Sequence, residues 1–286
     1  MSRLPPELTR DRPIVQVIAP SGPLLNHAQK LSQGIEIIKE LGLDVRYAST
    51  LTTRNTRGYL AGPDDLRAKE FLDAITDPEV DIVWWARGGS GGGRIQETIV
   101  RSLQEVTPKW LVGFSDATSL LNAVSIHHGW TTIHGPNITT LTDQVNAPDK
   151  LVTLISNLSH GRGWDRFGDL PIYGGNITVF ASMMGTLDLS KIGEHRLLFE
   201  DVNESPYRLD RALTQIRSVW PVHLTKEVLL GDLDLNQDDT EIVTECLKTD
   251  FKCPVRTGMA AGHRGAMDFI PLGYEPPKSS IPRRKT

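Results

Sequence analysis

The sequence predicts an α/β protein: an N-terminal parallel-sheet α/β sandwich domain followed by a smaller C-terminal α+β domain. Three observations carry this reading. Short apolar runs alternate with helix-spaced segments through the first half. The alternation breaks at 166–175, a stretch rich in Gly, Asp and Pro. Strand-like runs then resume over a shorter segment. At 286 residues, 39% hydrophobic and 23% charged, the chain suits one large or two modest domains and is too apolar for a disordered one.

Ile14, Val15, Val17 and Ile18 form the first β-rich run, over 14–19, stopped by Pro20-Ser21-Gly22-Pro23. Ala28, Leu31, Ile35 and Ile38 recur at helical spacing, and Gly42 closes that helix. Residues 45–47 read as a second strand, and 64–76, polar and punctuated by leucine, as a helix. Residues 80–86 are a nearly continuous apolar strand, as expected when both faces are covered. A glycine-rich loop at 87–94 and a helix follow. Residues 110–114 form a fourth strand, and a helix begins from Asp116 with Ala117, Leu120, Leu121 and Val124 on one face. The domain at 1–165 thus holds a parallel sheet with helices on both sides. In the domain at 176–275, residues 176–179, 196–199 and 228–235 read as strands around one clear helix at 208–219. The tail, 276–286, lacks periodicity and is expected to fray.

Composition excludes several roles. The net charge is −4, and the short run Arg283-Arg284-Lys285 is the sole basic cluster, so the nucleic-acid backbone is not an expected partner. Cys246 and Cys253 cannot build a disulfide scaffold. No apolar run approaches the ~20 residues that span a bilayer. Residues 1–13 lack the ~7–15-residue apolar core of a signal peptide. A cytoplasmic protein is the expectation, with a processed precursor left open.

Four segments carry chemically competent residues. In Gly113-Phe114-Ser115-Asp116-Ala117 an apolar strand runs straight into a serine and then a helix. That geometry projects the hydroxyl from the sheet edge and sets the next N–H at a helix N-terminus, where it can stabilise an oxyanion. The pattern departs from the Gly-x-Ser-x-Gly elbow only at Ala117. The plain alternative is that Ser115 caps the helix. The loop Arg87-Gly88-Gly89-Ser90-Gly91-Gly92-Gly93-Arg94 fails both phosphate patterns: no start gives Gly-x-Gly-x-x-Gly, and Arg94 and Ile95 replace the Lys and Ser/Thr of the Walker pattern. It is either a flexible surface turn or a source of backbone donors beside Ser115. The strand at 196–199 ends in Glu200-Asp201, a solvated acidic turn or a carboxylate that orients a histidine. Gly262-His263-Arg264-Gly265 leaves one imidazole accessible among small neighbours. His127, His128 and His134, like Cys246 and Cys253, lack metal-ligand spacing, so no metal site is read.

Taken together, the chain resembles the LD-carboxypeptidases, serine peptidases that include the muramoyltetrapeptide carboxypeptidases and the microcin-immunity peptidases. The resemblance runs from about Val15 to Gly273. It rests on Val17-Ile18-Ala19-Pro20-Ser21, Arg87-Gly88-Gly89, Leu111-Val112-Gly113-Phe114-Ser115-Asp116, His134-Gly135-Pro136, Gly174-Gly175-Asn176, Glu200-Asp201 with Pro206-Tyr207-Arg208-Leu209-Asp210-Arg211, and Gly262-His263, in family order.

The resemblance implies a triad split across two domains and facing a cleft between them: Ser115 the nucleophile, Glu200 the orienting carboxylate, His263 the general base. Asp116 with Gly88 or Gly89 would form the oxyanion hole. The implied reaction releases terminal D-alanine from murein tetrapeptide or a muropeptide through an acyl-enzyme, with no metal or organic cofactor, in a homodimer. Arg87, Ser90 and Arg94 are the candidate substrate contacts, since a free carboxylate is commonly met by arginine. The sequence departs from the family at Ser90, where Tyr is common, in the glycine run that follows, expected to loosen the loop, and at Arg264 and Met267. These changes bear on specificity. The competing readings are a peptidase acting on a peptidyl-nucleotide antibiotic, an inactive binding module for peptidoglycan fragments, and a nucleotide-binding protein using the glycine loop.

Overall fold

The apolar runs of the first half become strands shielded on both faces. β1 (Ile14–Ile18), β3 (Ile82–Trp85) and β4 (Trp110–Gly113) place Val15, Val17, Ile82, Val83, Trp85, Leu111 and Val112 out of contact with solvent. The computed structural model describes residues 2–53, 57–144, 146–161 and 163–276. Within them, β2 (Asp44–Tyr47), β5 (Thr132–His134) and β10 (Ile270–Leu272) complete a six-stranded sheet ordered β10-β5-β4-β3-β1-β2. The five N-terminal strands pair in parallel, joined by α1 (Ala28–Glu40), α2 (Asp64–Thr76), α3 (Gly92–Ser102) and α4 (Ala117–His128), and α5 (Ala147–His160) follows.

A second sheet takes β6 (Ile172–Asn176), β7 (His195–Glu200), β8 (Thr225–Leu230) and β9 (Val255–Arg256) in chain order, parallel throughout. Parallel neighbours need long crossovers. These are supplied by α6 (Ile177–Ser182), α7 (Pro206–Val219) and α8 (Gln237–Phe251). The second unit is therefore α/β, more regular than the α+β mixture expected.

Several local expectations change. Residues 177–179, read as a strand, are helical because Asn176 caps them: its Oδ1 accepts the Val179 N–H at 3.1 Å. The linker expected at 166–175 is strand from Ile172 onward, buried throughout. Its glycines mimic a loop signal but serve close packing, since a Cβ on Gly174 would lie 2.3 Å from Leu198 O. The 176–275 segment does not stay in its own unit either, because β10 returns to pair antiparallel with β5 in the first sheet. Helices α5 and α8 and strand β5 also lie outside the elements the sequence predicts: β5 is three residues long, and the helices mix polar with apolar positions. The expected frayed tail lies, from residue 277, outside the described residues.

Helix α4 turns no face to solvent over its first ten residues. Residues Ala117 through Ile126 are all buried. Leu120, Leu121 and Val124 join the core around the first sheet, and Ala123 and Ile126 join the core of the second. The helix that follows Ser115 is thus the element both units share.

Candidate active site between the two sheets

Strand β4 ends at Gly113, and the chain bends at once into α4 with Ser115 at the corner. Ser115 has φ +62°, a left-handed conformation that costs a non-glycine residue roughly 1–2 kcal/mol. Such strain persists only where the surroundings over-determine it. Here Phe114 N–H donates to Asn137 Oδ1 at 3.2 Å and Thr118 N–H donates to Ser115 O at 2.9 Å. Asp116 Oδ2 accepts the Gly92 N–H at 2.8 Å, tying the corner to the start of α3. The bend also needs small residues on each side, since a Cβ on Gly113 would lie 2.9 Å from the Ala117 Cβ. That explains the Ala in the fifth place of the elbow. Ser115 is not a side-chain cap: the N-cap of α4 is Asp116, which makes no side-chain cap bond either.

The loop after β3 lies against this corner. A Cβ on Gly88 would fall 2.9 Å from Ser115 Cβ and 3.0 Å from Oγ, so only glycine admits the serine here. Gly88 O accepts the Gly22 N–H at 3.1 Å. Across a trans peptide the next N–H points the opposite way. The Gly89 N–H therefore faces away from Gly22, and neither it nor the Asp116 N–H has an acceptor among the described residues.

Glu200 ends β7 with no exposure, and its Oε2 lies 3.0 Å from His263 Nδ1. A carboxylate only accepts, so this bond assigns the imidazole proton to Nδ1 and leaves the Nε2 lone pair free to take up a proton. Burial pushes the Glu200 carboxyl above its ordinary range, and the His263 hydrogen bond opposes that shift. The imidazole rests on the Phe114 ring, with centroids 4.8 Å apart. Its loop is tied to the second sheet by the Asp232 N–H donating to Ala261 O at 2.8 Å.

Ser115 and His263 line one cavity of about 200 Å³, together with Arg87, Gly88, Gly89 and Phe114. Among the described residues no hydrogen bond joins Ser115 Oγ to His263, a looseness common before substrate arrives. Arg87 also lines the cavity, where its Nη1 donates to Pro23 O at 2.8 Å and burial lowers its pKa.

The other two proposed contacts are not brought there. Ser90 is exposed and outside the cavity wall. Arg94 lies on the outer face of α3, gripping Asp64 with Nε–Oδ1 3.0 Å, because the chain is already helical from Gly92. The glycine run is pinned rather than loose, since the buried Arg67 Nη1 donates to Gly91 O at 2.9 Å. Arg264 pairs with Asp234, and Met267 is buried.

Sequence reading missed His27, Lys30, Asn137, Thr139 and Thr140 in the cavity wall. Asn137 was findable, one residue past His134-Gly135-Pro136. His27 and Lys30 carry no local signal. Among the described residues no cluster of three or more His, Cys, Asp or Glu side chains converges as metal ligands do, and Cys246 and Cys253 are free.

Comparison with known proteins matches two family models to successive parts of the chain. The LD-carboxypeptidase N-terminal domain model matches residues 15–135, which include Ser115, and the LD-carboxypeptidase C-terminal domain model matches 171–275, which include Glu200 and His263. The chain belongs to the LD-carboxypeptidase family. A Bacillus subtilis protein named as a probable murein peptide carboxypeptidase is 34% identical over 281 residues, covering 91% of this chain and 86% of that one. A muramoyltetrapeptide carboxypeptidase from Oxalobacter formigenes superposes with a TM-score of 0.70 at 25% identity, covering 90% of this chain and 93% of that one. An MccF-like protein from Bacillus anthracis shares the fold, with a TM-score of 0.80 at 17% identity over 95% and 94% of the two chains. No helix among the described residues is long and apolar enough to cross a membrane.

Proposed function

We propose that this chain is a serine LD-carboxypeptidase that hydrolyses an L,D-peptide bond and releases terminal D-alanine from murein tetrapeptide. The observation that carries the reading is the Glu200–His263 hydrogen bond, at 3.0 Å, presented to the cavity that Ser115 enters from a strained corner. His263 Nε2 takes the Ser115 proton as Oγ attacks the scissile carbonyl carbon. Charge moves to the carbonyl oxygen, where the N–H groups of Asp116 and of Gly88 or Gly89 receive it. Collapse of the tetrahedral intermediate breaks the C–N bond, and His263 returns the proton to the leaving D-alanine nitrogen. Water, deprotonated by the same imidazole, then releases the acyl group and restores Ser115. Glu200 holds the tautomer and stabilises the imidazolium. Arg87 is the residue proposed to meet the terminal carboxylate. A cytoplasmic homodimer acting in peptidoglycan recycling completes the reading.

Mass spectrometry of the protein with tetrapeptide, tripeptide and a peptidyl-adenylate tests it. D-alanine from tetrapeptide alone, lost in Ser115→Ala with the fold intact, is expected. Turnover of the peptidyl-adenylate alone would move the assignment to the immunity reaction. Binding of murein peptides without turnover of any substrate would make the chain a binding module.

A further inference from the structure

Strand β6 is an edge strand of the second sheet. Its outer edge faces α4, and a buried edge without partners would leave backbone groups unpaired. Two side chains of α4 occupy it. Asn122 Nδ2 donates to Gly174 O and Asn122 Oδ1 accepts the Gly174 N–H, each at 2.8 Å. One turn earlier, Thr118 Oγ1 accepts the Asn176 N–H at 3.1 Å. Both side chains are fully buried. The spacing matches: four helical residues rise about 6 Å, and two strand residues about 6.6 Å. Gly175 makes the approach possible, since a Cβ there would fall 2.6 Å from Thr118 Oγ1.

The contact lies in a hydrogen-bonded path between the two halves of the site. Thr118 N–H holds Ser115 O at 2.9 Å. Asn176, reached through Thr118 Oγ1, donates from Nδ2 to Asp201 Oδ1 at 2.9 Å and stands opposite Glu200 in the β6–β7 register. Glu200 in turn holds His263. Apolar packing of Ala123 and Ile126 on the second core presses α4 and β6 together, but that force has no direction and does not choose their register. The hydrogen bonds do.

We infer that Thr118 and Asn122 are positioning residues that set the height of Ser115 against the Glu200–His263 pair. The inference rests on the serine carboxypeptidase reading and names the device that aligns its triad. A misplacement of about 1 Å at a reacting centre lowers a rate by about 10².

The test compares Thr118→Val, which keeps the shape without the acceptor, with Thr118→Ser, which keeps the oxygen. In Thr118→Val kcat should fall about 10- to 100-fold with KM within about twofold of wild type. The midpoint of the pH–rate profile should not move, because Glu200 and His263 are both held by the second unit. Thr118→Ser should return kcat to within a few-fold of wild type. A fluorophosphonate that labels Ser115 gives a readout independent of peptide substrate. Its rate should fall in Thr118→Val in step with kcat, while labelling still reaches full stoichiometry. Should Thr118→Val not fold, Thr118→Ala carries the same expectations. Wild-type kcat and labelling rate in the folded variant overturn the inference. So does a loss matched by reduced labelling stoichiometry, or one that Thr118→Ser shares. A wild-type protein that labels but releases no D-alanine overturns the substrate reading alone, and the labelling rates still decide the positioning role. A wild-type protein that does neither overturns both.

Discussion

Glu200 and His263 stand 63 residues apart in the chain and 3.0 Å apart in space, with the carboxylate fully buried and the imidazole partly open to the cavity. Burial raises the Glu200 pKa, so the folded protein favours the protonated carboxyl more than the unfolded chain does. Holding the group ionised therefore opposes folding, increasingly so as pH rises from the ordinary carboxyl value of 4.5 toward the raised one.

Glu200→Gln removes that opposition while its amide oxygen still accepts from His263 Nδ1. The variant should be more stable than wild type in urea at pH 7, with the difference closing below about pH 4.5. Its kcat should fall by up to about 10⁴, because the imidazolium loses its countercharge. Equal stability at both pH values would contradict the burial argument.

Gly88→Ala places a methyl 2.9 Å from Ser115 Cβ and 3.0 Å from Oγ. Turnover should drop at least tenfold, with a stability loss of about 1–3 kcal/mol from overpacking. Gly93→Ala is the contrast. Nothing lies within 4 Å of its added Cβ, so activity should hold and α3 should gain about 0.5–1 kcal/mol. Thermal melts with D-alanine release separate the two.

The Ser115 corner itself stores strain. Ser115→Gly and Ser115→Ala should both be inactive, yet the glycine variant should be the more stable by about 1 kcal/mol, since alanine keeps the Cβ penalty at φ +62°. Denaturant midpoints compare them directly. An alanine variant at least as stable would show the corner to be relaxed.

Burial pushes His134 down to about 3 and His195 down to about 4, from an ordinary 6.5. The unfolded chain binds protons at these sites below about pH 6.5, and the folded chain does not. Stability should therefore decline as pH falls from about 6.5, by up to about 1.4 kcal/mol per pH unit for each histidine. The His195 contribution ends near pH 4 and the His134 contribution near pH 3. Urea unfolding at pH 7 and pH 5 measures the slope, and a flat response would contradict it.

Much of the frame was legible in the chain. Strands buried on both faces announce themselves as unbroken apolar runs, so β1, β3 and β4 and the parallel sheet could be read from Ile14, Ile82 and Trp110 onward. Family-ordered motifs also pointed to Ser115, Glu200 and His263. Local signals failed where one residue type serves two purposes. Gly174 and Gly175 resemble a linker and are a strand that α4 approaches closely, while Arg94 resembles a substrate contact and is an ion pair with Asp64.

The sequence alone determined which residue types were present, their order, and the periodicities that make each a strand or a helix. Tertiary structure decided which of them meet. Burial of β10 in the first sheet, the docking of Thr118 and Asn122 on β6, and the approach of His27 and Lys30 to the Ser115 cavity depend on contacts between segments far apart in the chain. No local pattern encodes them, because periodicity fixes only which face of an element is apolar. The partner that covers that face is selected by packing and by the pairing of buried polar groups across the whole fold.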